Sequence, residues 1–291
     1  VTRDQAQSLR ELSGTRPPRD GRSGRARRIA ITSGKGGVGK SNVSLNLAIA
    51  LGKIGRRVLL IDADTNLANI DILLGMQVKR TLADVIFGDA FFGDILLDGP
   101  AGIQILPGSS GVVEMMEEDN AVRQKLFDAF DGFERSYDIV LVDTGAGLSE
   151  NVMQFVASAD DSVLVTNSEP TSITDAYAMV KIATHRNPAL KMQVVVNLAA
   201  KEQEAKETFE KLQLAVRNFL NVDIELLGLL PLDRNVQSAV AERQPFLTLY
   251  PKCAASTAIM LMAHRLLRNS PVLAEDDVSM VERMYKRMSD S

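Results

Sequence analysis

The sequence predicts an α/β protein with a doubly wound, mostly parallel sheet and helices on both faces. Three observations carry this expectation. Short, continuous apolar runs recur along the chain, as strands buried on both faces should read. Longer helical stretches alternate with them, which is the pattern of parallel strand–helix–strand crossovers. The first apolar run leads directly into a glycine-rich loop and then a helix, so a ligand is expected beyond the C-terminal ends of the strands.

Composition supports a folded domain and narrows its chemistry. Of 291 residues, 45% are apolar, enough for a sizeable core. Aromatics make up 5% and Trp is absent, which argues against a base-stacking or sugar-binding surface. The net charge of −4 argues against direct DNA binding by the chain as a whole. The single cysteine, Cys253, excludes an intramolecular disulfide framework and a cysteine-held metal cluster. No run approaches ~18 apolar residues, and no secretory leader pattern is visible. A cytoplasmic location is therefore expected.

In chain order, residues 1–28 read as a flexible basic arm. A short helix is expected over 4–12, followed by an Arg-, Gly-, Pro- and Ser-rich linker over 13–28 that has too little apolar surface to order itself. One domain is expected over 29–270, since no internal repeat or second core is evident. Its first strand starts at Ile29, and a helix runs from Lys40 to about Leu51. Further strands are expected over 58–61, 103–106, 139–142, 162–166, 193–197 and 225–230. Helices are expected over 45–53, 115–133, 151–158, 172–185, 205–219 and 255–267. Residues 271–291 form a third region. There Val278, Val281, Tyr285 and Met288 share one helical side, and Glu282, Arg283, Lys286 and Arg287 are polar. That is a small amphipathic helix of marginal membrane affinity as a single copy.

The glycine-rich loop is Gly34-Lys35-Gly36-Gly37-Val38-Gly39-Lys40-Ser41. It fits the phosphate-loop template of Gly, four residues, then Gly-Lys-Ser/Thr. The inner glycines let the backbone aim its N–H groups at a polyphosphate, and the following helix adds the positive end of its dipole. Lys40 supplies charge to the β/γ-phosphates, and Ser41 is placed to ligate Mg²⁺. Asn42, in the first helical turn, completes the cofactor-binding set here.

Two strand ends carry carboxylates. The second strand ends Asp62-Ala63-Asp64, and the fourth ends Asp143-Thr144-Gly145-Ala146-Gly147. Asp64 would orient an attacking water, and Asp62 would support Mg²⁺ through a water. Asp143 would sit near the metal's water shell with the Gly145 N–H near the γ-phosphate, and Gly145 would change conformation cheaply when that phosphate leaves. Helix capping or an Asx turn remains the alternative for Asp62 and Asp64.

The second lysine of the loop, Lys35, narrows the class. The loop resembles the deviant phosphate loop, Lys-Gly-Gly-Xaa-Gly-Lys-Ser/Thr, of the MinD/ParA family of dimeric ATPases. The resemblance covers about residues 29–270 and implies a P-loop NTPase of the SIMIBI, MinD-like type. It implies ATP and Mg²⁺ as cofactors, slow Mg-dependent ATP hydrolysis, and a homodimer in the ATP state. Lys35 would then act across the dimer interface, as an arginine finger given in trans does. The resemblance also makes Asn197, Pro231 and Asp233 contacts to adenine. Ordinary turn chemistry is the alternative for these three. No guanine-type Asn-Lys-Xaa-Asp run follows Asn197, which favours ATP over GTP.

Within that family, Asn69-Ile70-Asp71-Ile72-Leu73-Leu74-Gly75 and Glu169-Pro170-Thr171-Ser172 resemble the flagellar-number regulators called FlhG or FleN. Their usual Asp-Ala-Asp-Leu-Gly-Leu-Ala-Asn segment has Thr65-Asn66 here in place of Leu-Gly. The run Asp4-Gln5-Ala6-Gln7-Ser8-Leu9-Arg10 is similar to the FlhG element that stimulates the GTPase of the FlhF protein. The resemblance thus implies an FlhF-type partner met through Asp4, Gln5, Ala6, Leu9 and Arg10. It also implies a flagellar switch (C-ring) or transcription-regulator partner, and reversible peripheral association with anionic membrane at its inner face. A MinD-type division-site ATPase, a ParA-type DNA-partition ATPase and a metabolic enzyme on the same fold remain rivals.

Overall fold

Along each central strand, side chains point alternately into two different cores. Ile29, Ile31, Leu60, Leu141, Val163, Val165 and Val195 belong to one. Ala30, Leu164, Val194 and Val196 belong to a second, and Leu59, Ile61, Val140 and Val142 to a third on the same side of the sheet. This period-two alternation of apolar residues makes a sheet buried on both faces. A computed structural model of the chain describes residues 25–64, 69–87, 90–108, 134–268 and 283–284.

Eight strands form one sheet among these residues: β1 (Arg27–Ser33), β2 (Val58–Ala63), β3 (Leu97–Asp98), β4 (Gln104–Leu106), β5 (Ile139–Ala146), β6 (Asp161–Thr166), β7 (Lys191–Ala199) and β8 (Glu225–Pro231). Their order is β3-β4-β2-β5-β1-β6-β7-β8. Every pairing is parallel except β3 with β4 at one edge. The helices are α1 (Lys40–Lys53), α2 (Ile70–Leu74), α3 (Leu82–Phe87), α4 (Glu150–Ser158), α5 (Pro170–Arg186), α6 (Glu202–Leu220), α7 (Arg234–Ala241), α8 (Phe246–Leu249) and α9 (Ala254–Arg268). Residues of α1, α8 and α9 build the first core, and residues of α4, α5 and α6 the second. The expected doubly wound class is the class observed.

Strands run past their apolar segments. β2 continues through Asp62 and Ala63, and β5 through Thr144, Gly145 and Ala146. Hydrophobicity stops where the functional residues begin, but the backbone ladder does not: Asp62 is paired in register with Asp143, and Ala63 with Thr144. The edge strand β3 and the short helices α2, α3, α7 and α8 lie outside the expected elements. Each is too short to show a period in sequence.

The basic linker expected over 13–28 needs correction at its end. Arg27 and Arg28 open β1 and are buried. Arg27 Nε donates to Asp161 at 2.7 Å, and its Nη1 donates to the Leu266 carbonyl at 2.6 Å. Arg28 grips Glu134 at 2.5 Å, and Arg25 grips Asp160 through two bonds of 2.8 and 3.1 Å. Composition treats arginine as solvated, whereas here each guanidinium meets a carboxylate from more than a hundred residues away.

The N-terminal motif with Asp4, Gln5, Ala6, Leu9 and Arg10 lies outside the described residues, as does the helix expected over 115–133. Of the amphipathic tail, Arg283 and Met284 are described: Arg283 donates to Asp160 at 3.0 Å, and Met284 is buried beside residues of the third core. No helix among the described residues is long and apolar enough to cross a membrane.

Candidate nucleotide site

The central position of β1, between β5 and β6, sets the site. At its C-terminal end the chain turns through residues 34–39 and enters α1. Each glycine in this turn answers a different constraint. A Cβ on Gly34 would stand 2.4 Å from the Asp175 backbone, so the loop base presses directly on α5. Gly37 and Gly39 have φ of 81° and 85°, the left-handed region that favours glycine. Beyond Gly37 and Gly36 there is room: nothing lies within 4 Å of a Cβ on Gly37, and the nearest atom to one on Gly36 is 4.0 Å away. Val38 is buried and anchors the loop. No side chain caps the start of α1, so its first turn presents N–H groups to a ligand. Ser41 and Asn42 lie half-buried in that turn, and the Asn42 carbonyl accepts from Asn46 Nδ2 at 2.8 Å.

Beneath the loop sits a buried charge centre. Lys40 Nζ donates to Asp143 Oδ1 at 2.9 Å and lies 3.5 Å from Ser41 Oγ. Ser44 Oγ donates to the same Asp143 oxygen at 2.6 Å. No motif points to Ser44; a serine one turn into an apolar helix is the available signal. Asp143 Oδ2 is buried without a hydrogen-bond partner. Beside it, Asp62 accepts backbone N–H groups of Asp64 (3.2 Å), Asn69 (2.9 Å) and Ile70 (3.1 Å). Burial pushes the Asp62 carboxyl up to about 6, against those three N–H groups and with the help of Asp143. Asp62 thus shapes the start of the switch segment, the turn role that sequence left open, while standing next to Asp143.

Asp64 lies half-buried and accepts from Asn69 Nδ2 at 3.4 Å. A Cβ on Gly145 would stand 3.7 Å from Asp64 Oδ1 and 3.3 Å from Val152 Cγ2, so the two switch strands meet there. Gly145 itself continues β5. The left-handed glycine is Gly147, at φ 93°, whose N–H bonds the Ser33 carbonyl at 2.9 Å. Gly147 follows the end of strand pairing, and Gly145, the residue expected to change conformation, lies within the strand.

Lys35 projects out of the loop rather than into it. Its Nζ donates to Glu169 at 2.6 Å and to Thr171 Oγ1 at 3.0 Å, with 38% of the side chain exposed. This contact holds the Glu169 carboxyl below its ordinary range.

The base-side residues divide. Pro231 ends β8 in register with Ala199, and the Leu232 N–H bonds the Ala199 carbonyl at 2.9 Å. Leu198 and Leu232, adjoining Asn197 and Pro231, are 41% and 54% exposed. Asp233 is a cap: it accepts from Asn235 N and Nδ2, both at 2.9 Å, and from Ala255 N at 3.3 Å. Burial raises its carboxyl, and those N–H groups more than offset that, holding it below the ordinary range. Its carboxylate caps helix starts, the turn chemistry that stood as the alternative to an adenine contact. Asn197 donates from Nδ2 to the Val38 carbonyl at 2.7 Å and accepts the Leu198 N–H at 2.8 Å.

This arrangement fits a magnesium nucleotide. The open glycine cradle suits phosphates, and the unpartnered Asp143 oxygen beside Ser41 suits a hydrated cation. Lys40 and the loop N–H groups would hold the phosphates, and Ser41, Asp143 and Asp62 the Mg²⁺.

Comparison with known proteins gives the same direction. The AAA_31 family, described as an AAA domain, matches residues 26–196. The antiactivator FleN of Pseudomonas aeruginosa is 42% identical over 238 residues, covering 82% of this chain and 85% of that protein. The flagellum site-determining protein YlxH of Helicobacter pylori is 33% identical over 267 residues, covering 91% and 90%. The septum site-determining protein MinD of Pyrococcus horikoshii, solved with Mg-ADP, superimposes with a TM-score of 0.67 at 28% identity, covering 86% of this chain and 99% of that one.

Proposed function

The chain belongs to the MinD/ParA family of ATPases, in its FlhG/FleN group, and from that premise we propose that it is a dimerising switch controlling the number and placement of flagella. It is an ATPase that works on ATP with Mg²⁺. In the proposed cycle, ATP brings two copies together, hydrolysis separates them, and the output is the state rather than the product.

The side chains divide the work. Lys40 and the loop N–H groups orient the phosphates, and Asp64 positions the attacking water. Bound Mg²⁺ supplies neutralisation of charge on the β- and γ-phosphate oxygens. Lys35 carries the dimer reading. It is the exposed cation at the mouth of the site, held in its own chain by the exposed side chain of Glu169 and by Thr171, and it is free to exchange them for a phosphate of a second copy. Residues 1–28 would engage an FlhF-type GTPase, and a C-ring or transcription component would read the dimer. The tail over 271–291 would reach anionic membrane once Met284 leaves its buried seat.

Light scattering with ADP or ATP–Mg²⁺, using Asp64→Ala to hold the ATP state, tests this reading. The expected result is a dimer with ATP, a monomer with ADP, and a monomer in both for Lys35→Ala. A wild-type monomer with either nucleotide would remove the switch. Stimulation of an FlhF-type GTPase by residues 1–28 is the test of the flagellar assignment.

A further inference from the structure

Asn197 looks like a base reader by its place at the end of β7, but one of its two amide N–H groups and its carbonyl oxygen are already engaged. Its Nδ2 donates to the Val38 carbonyl at 2.7 Å, across 159 positions of chain, and its Oδ1 accepts the Leu198 N–H at 2.8 Å. The side chain is 5% exposed and the carbonyl it meets belongs to a residue that is 1% exposed. We infer that Asn197 is a positioning residue that straps β7 to the phosphate loop and sets the aim of Gly39 and Lys40.

Three further features fit this strap. A Cβ on Gly39 would lie 2.4 Å from Asn197 Nδ2, so the tip of the amide lies directly against the loop, while the φ of 85° is what favours glycine there. The register of β7 with β8 shifts between Val196 and Ala199, a local irregularity of the kind that re-aims a side chain. Leu198, a non-glycine residue, is held at φ 57°, and the bond from its N–H to Asn197 Oδ1 helps to maintain that conformation. The amide thus orders two segments together: the loop that faces the phosphates and the strand end that faces the base. Removing it leaves a buried carbonyl unpaired next to Gly39, and Lys40 follows two residues after Val38.

A strap and a base reader respond differently to ligands that lack adenine. The experiment measures binding of ATP, GTP and inorganic tripolyphosphate, each with Mg²⁺, to the whole 291-residue chain and to Asn197→Ala and Asn197→Asp. A positioning role predicts that Asn197→Ala weakens all three by a common factor, on the order of ten-fold. It predicts a larger common loss for Asn197→Asp, which keeps the acceptor for Leu198 but sets a carboxylate oxygen against the Val38 carbonyl. A loss confined to ATP, with GTP and tripolyphosphate unchanged, would overturn the inference, as would wild-type affinities in Asn197→Asp. Should these variants not fold, Asn197→Ser takes their place, because it shortens the reach to the Val38 carbonyl and keeps a small polar side chain without adding charge. The same uniform loss is expected there, and an ATP-only loss again overturns the strap. Failure of the wild-type chain to bind any of the three would instead count against the ATPase assignment, so the two outcomes are distinct.

Discussion

The two ends of the central strands both bury charge, and they do so in opposite ways. At the N-terminal ends, Arg25, Arg27 and Arg28 meet Asp160, Asp161 and Glu134 at 2.5–2.8 Å, and Arg283 adds a second cation to Asp160 at 3.0 Å. At the C-terminal ends, Asp62 and Asp143 stand side by side with Lys40 on one oxygen and another oxygen of Asp143 bare. In the first cluster each carboxylate meets at least one guanidinium, and the pairs tie distant chain segments together. The second is short of cations in the very place where the glycine loop leaves room for phosphates. What marks the second end is the combination of a bare carboxylate oxygen with an open glycine cradle, and not the burial of charge alone.

The largest effect should come from breaking the closed end. Arg28→Ala would leave Glu134 buried without that partner, and such a change costs about 3–5 kcal/mol. ATP binding, measured well below the melting temperature, should be nearly unchanged, because β1 lies between Arg28 and the loop. Replacing the pair with Arg28→Met and Glu134→Leu should recover much of the loss. The comparison breaks if Arg28→Ala impairs ATP binding while leaving the melting temperature alone.

Acid should separate Asp62 from Asp160 by sign, while burial raises Asp161 at the closed end in the same direction as Asp62. Asp62 has its pKa raised to about 6 from 3.8, so between those values the folded state binds more protons than the unfolded one. Its contribution to stability therefore falls as pH rises from about 4 to 6, by on the order of 3 kcal/mol at most. Burial pushes Asp160 the other way from its partners. Arg25, the Arg28 N–H and Arg283 prevail and leave it below the ordinary range, so its contribution is lost as pH falls below about 4. Thermal melts of the nucleotide-free protein should thus hold or rise from pH 7 to 5 and fall below pH 4. Asp62→Asn should reduce the first part, leaving the share of Asp161, and should not alter the second. A wild-type profile that declines steadily from pH 7 would contradict the state assigned to Asp62.

The open end was the more legible in sequence, for a physical reason. A phosphate loop is contiguous, because one turn of backbone must surround one ligand, so Gly34 to Ser41 announce themselves. Asp62, Asp64 and Asp143 follow apolar strands and inherit their position from them. The closed end is assembled from residues 25–28, 134, 160–161 and 283, which share no local pattern, and its arginines read as a solvated linker. Ser44 is hidden by lying in an otherwise apolar helix, and Glu169 by being one more carboxylate before a proline. Asp233 and Asn197 show the limit of reading roles from strand ends. Their place at strand ends was plain, but capping and strapping are decided by which N–H or carbonyl comes within 3 Å.

The smallest effect sharpens the comparison most, because it concerns an exposed charge at the rim of the open end. Lys35 and Glu169 form an exposed pair, with side chains 38% and 58% accessible. Exposed pairs add little to stability, so Glu169→Gln should leave the melting temperature where it is. It should nonetheless change assembly. If Lys35 must leave Glu169 to reach the phosphates of a second copy, neutralising Glu169 removes a competitor. The ATP-state dimer should then form at lower protein concentration in light scattering or analytical ultracentrifugation. The gain should shrink as salt is added, since salt screens the competing exposed pair in the wild type. Thr171→Ala, which removes the neutral partner of Lys35, should give a smaller gain that salt does not alter. A weaker dimer in Glu169→Gln would mean that Glu169 itself belongs to the interface, and the open end would then extend across two copies through a carboxylate as well as a lysine.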